Sequence, residues 1–232
     1  TVGLFANSSP VIIGAMILAP LMSPIVSLSM GVLRQNGDLV TTSAKTLFIG
    51  IVLSLFFGTL LTLLTPLYTV NSEISARLSP TILDLGVAII SGIAAAYASA
   101  RSEVAKSLAG VAIAVALVPP LGVSAIGIGW WDWNVFSGAF LLFMTNLVGI
   151  VLAAAATFLV MGFSPFHLAK KGLVLSLVFV VIISIPLAFA FKSLVTEQRA
   201  AMALKDLTIE GVVLKDVSIR NDDPIYVSVK LL

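Results

Sequence analysis

The sequence predicts an all-α polytopic membrane protein with about six transmembrane helices in an inverted three-plus-three repeat, followed by a small partial α/β tail. The first observation behind this prediction is the composition, which is 59% hydrophobic and 10% charged with a mean hydropathy of +1.14. Soluble domains are far more polar. The second observation is a series of apolar runs of helical length. The third is a pair of proline-interrupted runs, around Pro20 and Pro120, that look like copies of one broken helix.

The apolar runs define the predicted spans, because a helix needs about 20 apolar residues to cross a bilayer. They lie at about 10–33, 46–68, 80–100, 106–128, 137–162 and 172–192. The first is interrupted at Pro20 and Pro24, and the fourth at Pro119 and Pro120. If the first run is a re-entrant hairpin rather than a crossing, every later span changes direction.

Similarity between the two halves continues beyond the broken helices. Thr46 and the Gly-Ile-Val-Leu run at 50–53 recur as Thr145 and the same run at 149–152, a shift of 99 residues. The common order and nearly constant shift indicate two repeat units, at about 7–100 and 106–192. Because each unit holds three spans, an odd number, the two units cross the membrane in opposite directions, as in many secondary transporters.

Lysine and arginine predict the orientation, since they concentrate in cytoplasmic loops. The loops between spans 1 and 2, 3 and 4, and 5 and 6 each carry at least two of them. The loop between spans 2 and 3 has only Arg77, and the loop between spans 4 and 5 has none. The odd-numbered loops are therefore predicted to be cytoplasmic, in a multi-pass protein of the cell membrane.

The chain changes character after the predicted membrane domain, residues 1–192. The last 41 residues carry 12 charged side chains, as many as the first 191. Near the end, Ile225, Val227, Val229 and Leu231 alternate with polar residues after a turn at 221–224. A period of two predicts a strand with one buried face. Residues 193–232 are therefore predicted to be a partial soluble α/β tail with a hairpin.

The interrupted helices carry the predicted site. Ser23-Pro24 is typical of a helix start with serine as the N-cap, and its free N–H groups would attract an anion or a polar group. The carbonyls released before Pro20 would suit a cation instead, because proline removes a backbone donor. A kink repaired by neighbouring helices is the alternative for either proline alone. The matching break at Pro119-Pro120 favours a binding site.

Asn146 is the one amide well inside a predicted span. Buried polar groups in membranes are often functional, although interhelical hydrogen bonding explains this residue equally well. The predicted lining of the site consists of residues at the two breaks and this amide: Ser23, Pro24, Pro20, Pro119, Pro120, Gly122 and Asn146.

Spans two and five share a stripe of small residues at every fourth position. Gly50, Ser54 and Gly58 recur as Gly149, Ala153 and Thr157. Small faces let membrane helices approach closely. These residues are therefore predicted to pack helices together rather than to bind a ligand.

The residue inventory argues against an enzyme. The absence of cysteine excludes thiol catalysis and thiolate metal sites, and one histidine cannot build a histidine-rich metal site. Asp84, the only acid near a span, is predicted to be a first-turn carboxylate favoured by the helix dipole. The net charge of +2 gives no reason to expect nucleic acid. We therefore expect no catalytic site, no metal and no cofactor.

Three segments resemble the signatures of a bacterial and archaeal membrane family, domain of unknown function 389, the uncharacterised hydrophobic domain family. The first is Asn7-Ser8-Ser9-Pro10 through Met16 with Ala19-Pro20-Leu21-Met22-Ser23-Pro24. The second runs from Ala105 to Leu121, and the third is Thr145-Asn146-Leu147-Val148-Gly149-Ile150. The resemblance covers about residues 1–192 and implies a polytopic membrane protein, without implying any activity.

These observations predict a membrane transporter of a small ion or polar solute, with its site between the two broken helices. An ion channel is one alternative. A structural or sensory membrane protein that transports nothing is another, and in it the prolines are only kinks. The expected partners are the lipid bilayer and the transported ion or solute. The sequence does not determine whether the chain forms a homo-oligomer.

Overall fold

The computed structural model describes residues 1–17, 21–65, 67–99 and 103–164, and four strand segments between residues 208 and 230. By internal contacts the chain divides into two units, Thr1–Ser184 and Ile185–Leu232. The helices described in the first unit are α1 (Val2–Phe5), α2 (Ser9–Ile17), α3 (Met22–Arg34), α4 (Gly37–Leu64), α5 (Ser72–Ser75), α6 (Ile82–Ser99), α7 (Glu103–Trp130) and α8 (Trp133–Val160).

Three stretches of helix are long and apolar enough to cross a membrane: Gly37–Leu64, Gly110–Trp130 and Trp133–Val160. A shorter apolar helix covers Leu83–Ser99 within α6. A helix of 28 residues is about 42 Å long, more than the roughly 30 Å of a bilayer's hydrocarbon core. These apolar helices indicate a membrane protein. The predicted sixth span, at 172–192, lies outside the described residues.

Helix α4 begins earlier than the prediction, at Gly37 rather than near residue 46. The reason is a local cap, because the Asn36 side chain accepts a hydrogen bond from the backbone N–H of Leu39 at 3.0 Å. Asparagine is among the best N-cap residues. The polar first turns of α4 therefore extend the helix beyond its apolar run.

The two ends of the first proline-interrupted run are held by different parts of the bundle. Before its start, Asn7 Oδ1 accepts hydrogen bonds from Ser72 Oγ at 3.0 Å and from the Glu73 N–H at 3.2 Å. At its end, Arg34 Nε donates to the carbonyl of Phe163, just beyond α8, at 3.2 Å. The full length of α4 separates these two points, since α4 follows Arg34 and precedes α5. Helices α2 and α3 thus begin near the C-terminal end of α4 and end near its N-terminal end.

The predicted serine cap at Ser23 is wrong. Helix α3 begins at Met22, and its N-cap residue is Leu21, which makes no side-chain cap hydrogen bond. A capping serine precedes the helix and has extended backbone, whereas Ser23 is the second residue of α3. Ser23 is instead an exposed residue of the first helical turn.

The predicted break at Pro119 and Pro120 is wrong as a break in the chain. Helix α7 runs continuously from Glu103 to Trp130 with both prolines inside it. What the prolines interrupt is the ladder of backbone hydrogen bonds, since neither can donate to the carbonyl four residues earlier. Both prolines are buried, and contacts with α4, α6 and α8 hold the helix on each side.

Helices α7 and α8 form the centre of the bundle. Each packs against α6 and against the other, α7 also packs on α4, and α8 also packs on α3. In the most apolar 18-residue stretch of each helix, 67% of α7 and 56% of α8 is buried, against 17% of α4. Helix α4 therefore directs most of its apolar side chains outward, including Phe48, Ile49, Val52, Leu53, Phe56, Phe57, Leu60 and Leu61.

The small residues of spans two and five lie against different partners. A Cβ on Gly58 of α4 would lie 2.5 Å from the Ala125 Cβ of α7, and one on Gly149 of α8 would lie 3.3 Å from the Ala88 Cβ of α6. Ala153 sits 2.8 Å from a Cβ built on Gly92. Gly50, by contrast, faces open space, and Ser54 is exposed. Only part of the predicted stripe is a packing face.

In the second unit, the described residues form two antiparallel strand pairs. Strand β1 (Thr208–Ile209) pairs with β2 (Val212–Val213), and β3 (Lys215–Arg220) pairs with β4 (Tyr226–Lys230). The second pair brackets residues 221–224, where the sequence predicts a turn. The predicted domain boundary near residue 192 lies outside the described residues.

Candidate functional site

The candidate site lies halfway along the two central helices. Asn146 is at the middle of α8 (Trp133–Val160), and Pro120 is at the middle of the apolar part of α7, Gly110–Trp130. At about 1.5 Å per residue, each is roughly 15 to 20 Å from the ends of its apolar segment. Both residues are buried. A polar side chain at this depth costs free energy unless it finds a partner.

Asn146 reaches the backbone that the prolines leave unsatisfied. Its Nδ2 donates to the carbonyl of Ala116 at 2.9 Å, which is the carbonyl that would accept from residue 120 if that residue were not proline. A carbonyl only accepts, so the amide nitrogen must face Ala116 and Oδ1 must point the other way. The contact therefore sets the orientation of the amide.

Asn146 Oδ1 is buried and accepts no hydrogen bond from the residues that the structure describes. Asn146 as a whole is 3% exposed. Unsatisfied buried acceptors are rare, and each calls for an explanation such as strain or a bound group. Like the carbonyl of Ala116, the carbonyl of Val115 has no helical donor, because residue 119, four positions later, is also proline.

A cavity of about 470 Å³ adjoins these groups, and we name it the polar cavity. Helix α7 contributes Val115, Ala116 and Pro120, and α8 contributes Leu142 and Asn146. The remaining lining residues come from α5, the residues after it, and α6: Ser72, Glu73, Ala76, Arg77, Asp84 and Val87. The cavity therefore joins the proline turn of α7 to the charged residues around α5.

Glu73 and Arg77 form an ion pair at the α5 end of the polar cavity, with 2.7 Å between Arg77 Nη1 and Glu73 Oε2. The Ser9 hydroxyl also donates to the Glu73 carboxylate. That hydrogen bond, followed by the hydrogen bond and the charge of Arg77, holds the pKa of Glu73 below its ordinary value of 4.5, against the opposing effect of partial burial. Glu73 is therefore ionised near neutral pH.

Asp84 has a second role besides lining the polar cavity. Its Oδ2 accepts hydrogen bonds from the Thr81 N–H at 2.9 Å and the Thr81 hydroxyl at 2.6 Å. The Thr81 hydroxyl in turn lies 3.3 Å from the Asp84 N–H, so the pair forms a capping box at the start of α6. The prediction of a first-turn carboxylate is confirmed. Within the described residues, Asp84 has no basic partner.

Two asparagines fasten α5 to the start of the chain. Asn71 Nδ2 donates to the Leu4 carbonyl at 2.6 Å, and its Oδ1 accepts from the Ile74 N–H at 3.0 Å. Asn7, whose φ of 49° is left-handed, holds the other side of α5 through Ser72 and Glu73. These contacts hold a four-residue helix at the side of the polar cavity.

A second cavity of about 530 Å³ lies on another face of α7, and we name it the apolar groove. Pro24 of α3 and Gly122 of α7 both line it, with Val118 and Leu121 beside them. Its α4 wall contains Thr46, Leu47, Gly50, Leu53, Ser54, Phe57, Gly58 and Leu61. Leu47 stands 99 residues before Asn146, the shift that relates the two Gly-Ile-Val-Leu runs, and the described lining of this groove contains no amide side chain.

The predicted site residues therefore fall into two cavities. Pro120 and Asn146 line the polar cavity, whereas Pro24 and Gly122 line the apolar groove. Pro119 is buried beside them in α7, and Ser23 is exposed on α3. Pro20 lies outside the described residues.

Sequence reasoning missed the polar residues between α4 and α6. Arg77 is predicted only as a loop residue between spans 2 and 3, and the prediction does not single out Glu73, yet both line the same cavity as Asn146. A signal was present in the sequence: the run Asn71-Ser72-Glu73 follows a long apolar helix, and asparagine before a serine and an acid is typical of a helix start. What the sequence could not indicate was which helices this short segment would pack beside.

The comparisons with known proteins identify the family of this chain. The family described as domain of unknown function 389 matches residues 16–152. An uncharacterised protein of Methanocaldococcus jannaschii is 30% identical over 169 residues, which cover 73% of this chain and 52% of that protein. The chain thus spans about half the length of this curated relative. No solved structure is significantly similar to it. Because the family match covers more than half of the chain, this protein belongs to the family described as domain of unknown function 389.

Proposed function

We propose that this protein is a membrane transporter of a small ion or polar solute, which binds in the polar cavity at the proline turn of α7. The observation that carries the proposal is the unpartnered Asn146 Oδ1, buried halfway along an apolar helix and adjoining a cavity. Transporters place their sites near the bilayer midplane, where interrupted helices expose backbone groups. Pro119 and Pro120 release two carbonyls at that depth.

The helix contacts support an inverted repeat. If α3, α4 and α6 correspond to α7, α8 and the sixth span, then the α3–α4 contact has its counterpart in the α7–α8 contact. The α4–α7 contact has its counterpart in the α8–α3 contact, and both pairs are in contact. A two-fold relation requires such matched pairs. Six spans and a two-fold axis in the membrane plane are therefore part of the proposal.

The orientation gives the cavity a direction. The polar cavity is lined by α5, at the end of the bundle opposite the Arg34–Phe163 contact. The predicted cytoplasmic loops lie on the Arg34 side. We infer that the polar cavity faces the extracellular side of the membrane. The apolar groove, on the other face of α7, then forms part of the route towards the cytoplasm.

Flux into proteoliposomes tests the proposal. Purified protein would be reconstituted and screened with labelled monovalent cations, halides, and small neutral and zwitterionic solutes. At least one should enter faster than into protein-free vesicles, and Asn146→Ala should reduce that flux at least tenfold. Thr145→Val is the matched control, because Thr145 is equally buried on the same helix but bonds only its own helix, through the Leu141 carbonyl at 2.8 Å.

Counterflow then separates a carrier from a channel, because a carrier exchanges labelled for unlabelled substrate and saturates. An unchanged flux in Asn146→Ala would contradict the proposed site. An absence of flux for every solute class, with folded protein in the vesicles, would favour a structural or sensory role.

A further inference from the structure

We propose that the polar cavity binds a small, partly hydrated monovalent cation, with Asn146 Oδ1 and the Val115 carbonyl as its protein ligands. The inference rests on the proposed function and narrows it from an ion or polar solute to a cation. It comes from the kind of group left without a partner. At the depth of the helix midpoints, Asn146 Oδ1 has no hydrogen-bond partner among the described residues, and Pro119 has no N–H to offer the Val115 carbonyl. Both of these groups are acceptors, and one of the two N–H groups of Asn146 Nδ2 is already used on Ala116.

The proline pair explains why two acceptors meet there. Each proline removes one donor, so the consecutive carbonyls of Val115 and Ala116 both lose their helical partners. Asn146 Nδ2 satisfies Ala116 and leaves Val115. Val115, Ala116 and Asn146 all line the cavity. One amide therefore satisfies the Ala116 carbonyl and leaves its own oxygen as an acceptor in the cavity wall to which Val115 also belongs. Released carbonyls of interrupted helices are known ligands for sodium ions and protons.

The charges around the cavity also favour a cation. Its lining contains two carboxylates, Glu73 and Asp84, and one guanidinium, Arg77. Arg77 is held by Glu73 at 2.7 Å, which leaves Asp84 as the uncompensated charge among the described lining residues. Among the described lining residues, an anion would meet two carboxylates, while the one guanidinium is already paired with Glu73.

The ligand set favours one positive charge rather than two. Divalent cations such as Ca²⁺ take six to eight oxygens, with carboxylates among them, whereas the groups at the depth of Asn146 are neutral. The cavity volume of about 470 Å³ leaves room for water beside a bare ion. Each water molecule takes up roughly 30 Å³ in the liquid. A cation could therefore keep several waters while the two protein oxygens replace others.

Thermal unfolding of the full chain in detergent tests this inference. Sodium, potassium and ammonium chloride would each replace choline chloride at constant ionic strength and constant chloride. At least one cation should raise the Tm of the wild-type protein saturably. Asn146→Leu should lose this response, whereas Thr145→Val should keep it. Asp84→Asn should retain the response with a midpoint shifted about fivefold to higher concentration, because it removes one nearby charge in a partly aqueous setting.

A direct binding measurement on the wild-type protein keeps the inference testable if Asn146→Leu fails to fold. Labelled sodium or the potassium analogue rubidium should bind the wild-type protein saturably and be displaced by the unlabelled ion but not by choline. The inference is overturned if no cation differs from choline, if the Tm follows the anion instead, or if folded Asn146→Leu responds like the wild type.

The outcomes also separate this inference from the proposed function. If an anion or a neutral solute shows a flux that depends on Asn146, the proposed transport function is supported and the proposed cation site is contradicted. Saturable cation binding without any flux would support the cation site and contradict the proposed transport function.

Discussion

Asn146 donates to the carbonyl of Ala116 at 2.9 Å, across 30 residues of sequence, and thereby satisfies the acceptor that Pro120 leaves without its helical N–H. One side chain on α8 thus compensates for a defect in the backbone of α7. The two residues were predicted to belong to one site, and their relationship is first of all a structural one. It leads directly to a test of coupling.

The coupling between Asn146 and Pro120 should appear in a double-mutant cycle. Asn146→Ala should lower the free energy of unfolding by about 1 to 3 kcal/mol, because a buried carbonyl loses its donor. Pro120→Ala restores a backbone N–H four residues after Ala116. In that background the cost of Asn146→Ala should fall by about 1 kcal/mol. Denaturation in mixed micelles measures all four proteins. Equal costs in both backgrounds would show that the bond does not serve the proline.

Gly58 and Gly50 of α4 should respond differently to alanine, although both belong to the predicted small stripe. A Cβ at position 58 would lie 2.5 Å from the Ala125 Cβ, so Gly58→Ala should force α4 away from α7 and lower the Tm. Gly50 has no atom within 4 Å of its Cβ position. Gly50→Ala should be neutral or stabilising by up to about 1 kcal/mol, because glycine disfavours helix. Similar effects at both positions would contradict this packing.

Gly92 and Gly86 provide a second matched pair, within α6. A Cβ on Gly92 would clash with the Ile150 carbonyl, which belongs to the backbone of α8 and cannot turn aside. Gly92→Ala should therefore cost several kcal/mol or prevent folding, as overpacking against backbone does. Gly86 meets nothing within 4 Å, and Gly86→Ala should be tolerated. Yield and elution of monodisperse protein from detergent extracts, followed by thermal unfolding, distinguish the two.

Glu73 should make stability depend on acid pH. Its pKa is lowered in the folded protein, first by the Ser9 hydroxyl and also by Arg77, so the folded state binds this proton less readily than the unfolded state. The stabilisation is therefore present above the ordinary pKa of 4.5 and is lost as pH falls below it. The Tm difference between wild type and Glu73→Gln should shrink between about pH 5 and pH 3.

Ser9→Ala is the control for the Glu73 prediction. It removes the principal cause of the lowered pKa, so the wild-type loss of stability in acid should become smaller in this variant. A Tm difference between wild type and Glu73→Gln that stays constant from pH 7 to pH 3 would contradict the assigned role of Glu73.

The length and polarity of the sequence determined the membrane class and the positions of most helices. Apolar runs of about 20 residues must form helices in a bilayer, because no water is present to satisfy the backbone. The first five runs each correspond to described helices, and the sixth lies outside the described residues. Pro119, Pro120 and Asn146 were singled out by chemistry alone, since a missing donor and a buried amide are visible in any apolar sequence.

Tertiary structure decided what those residues do. Proline in a sequence indicates a lost hydrogen bond, but only packing against α4, α6 and α8 keeps α7 continuous through two of them. The partner of Asn146 lies 30 residues away, and Glu73 and Asp84 reach the same cavity from other parts of the chain. Such contacts depend on how helices cross, which local sequence does not encode. The sequence by itself thus determined which groups lacked partners, and the fold decided which of them meet.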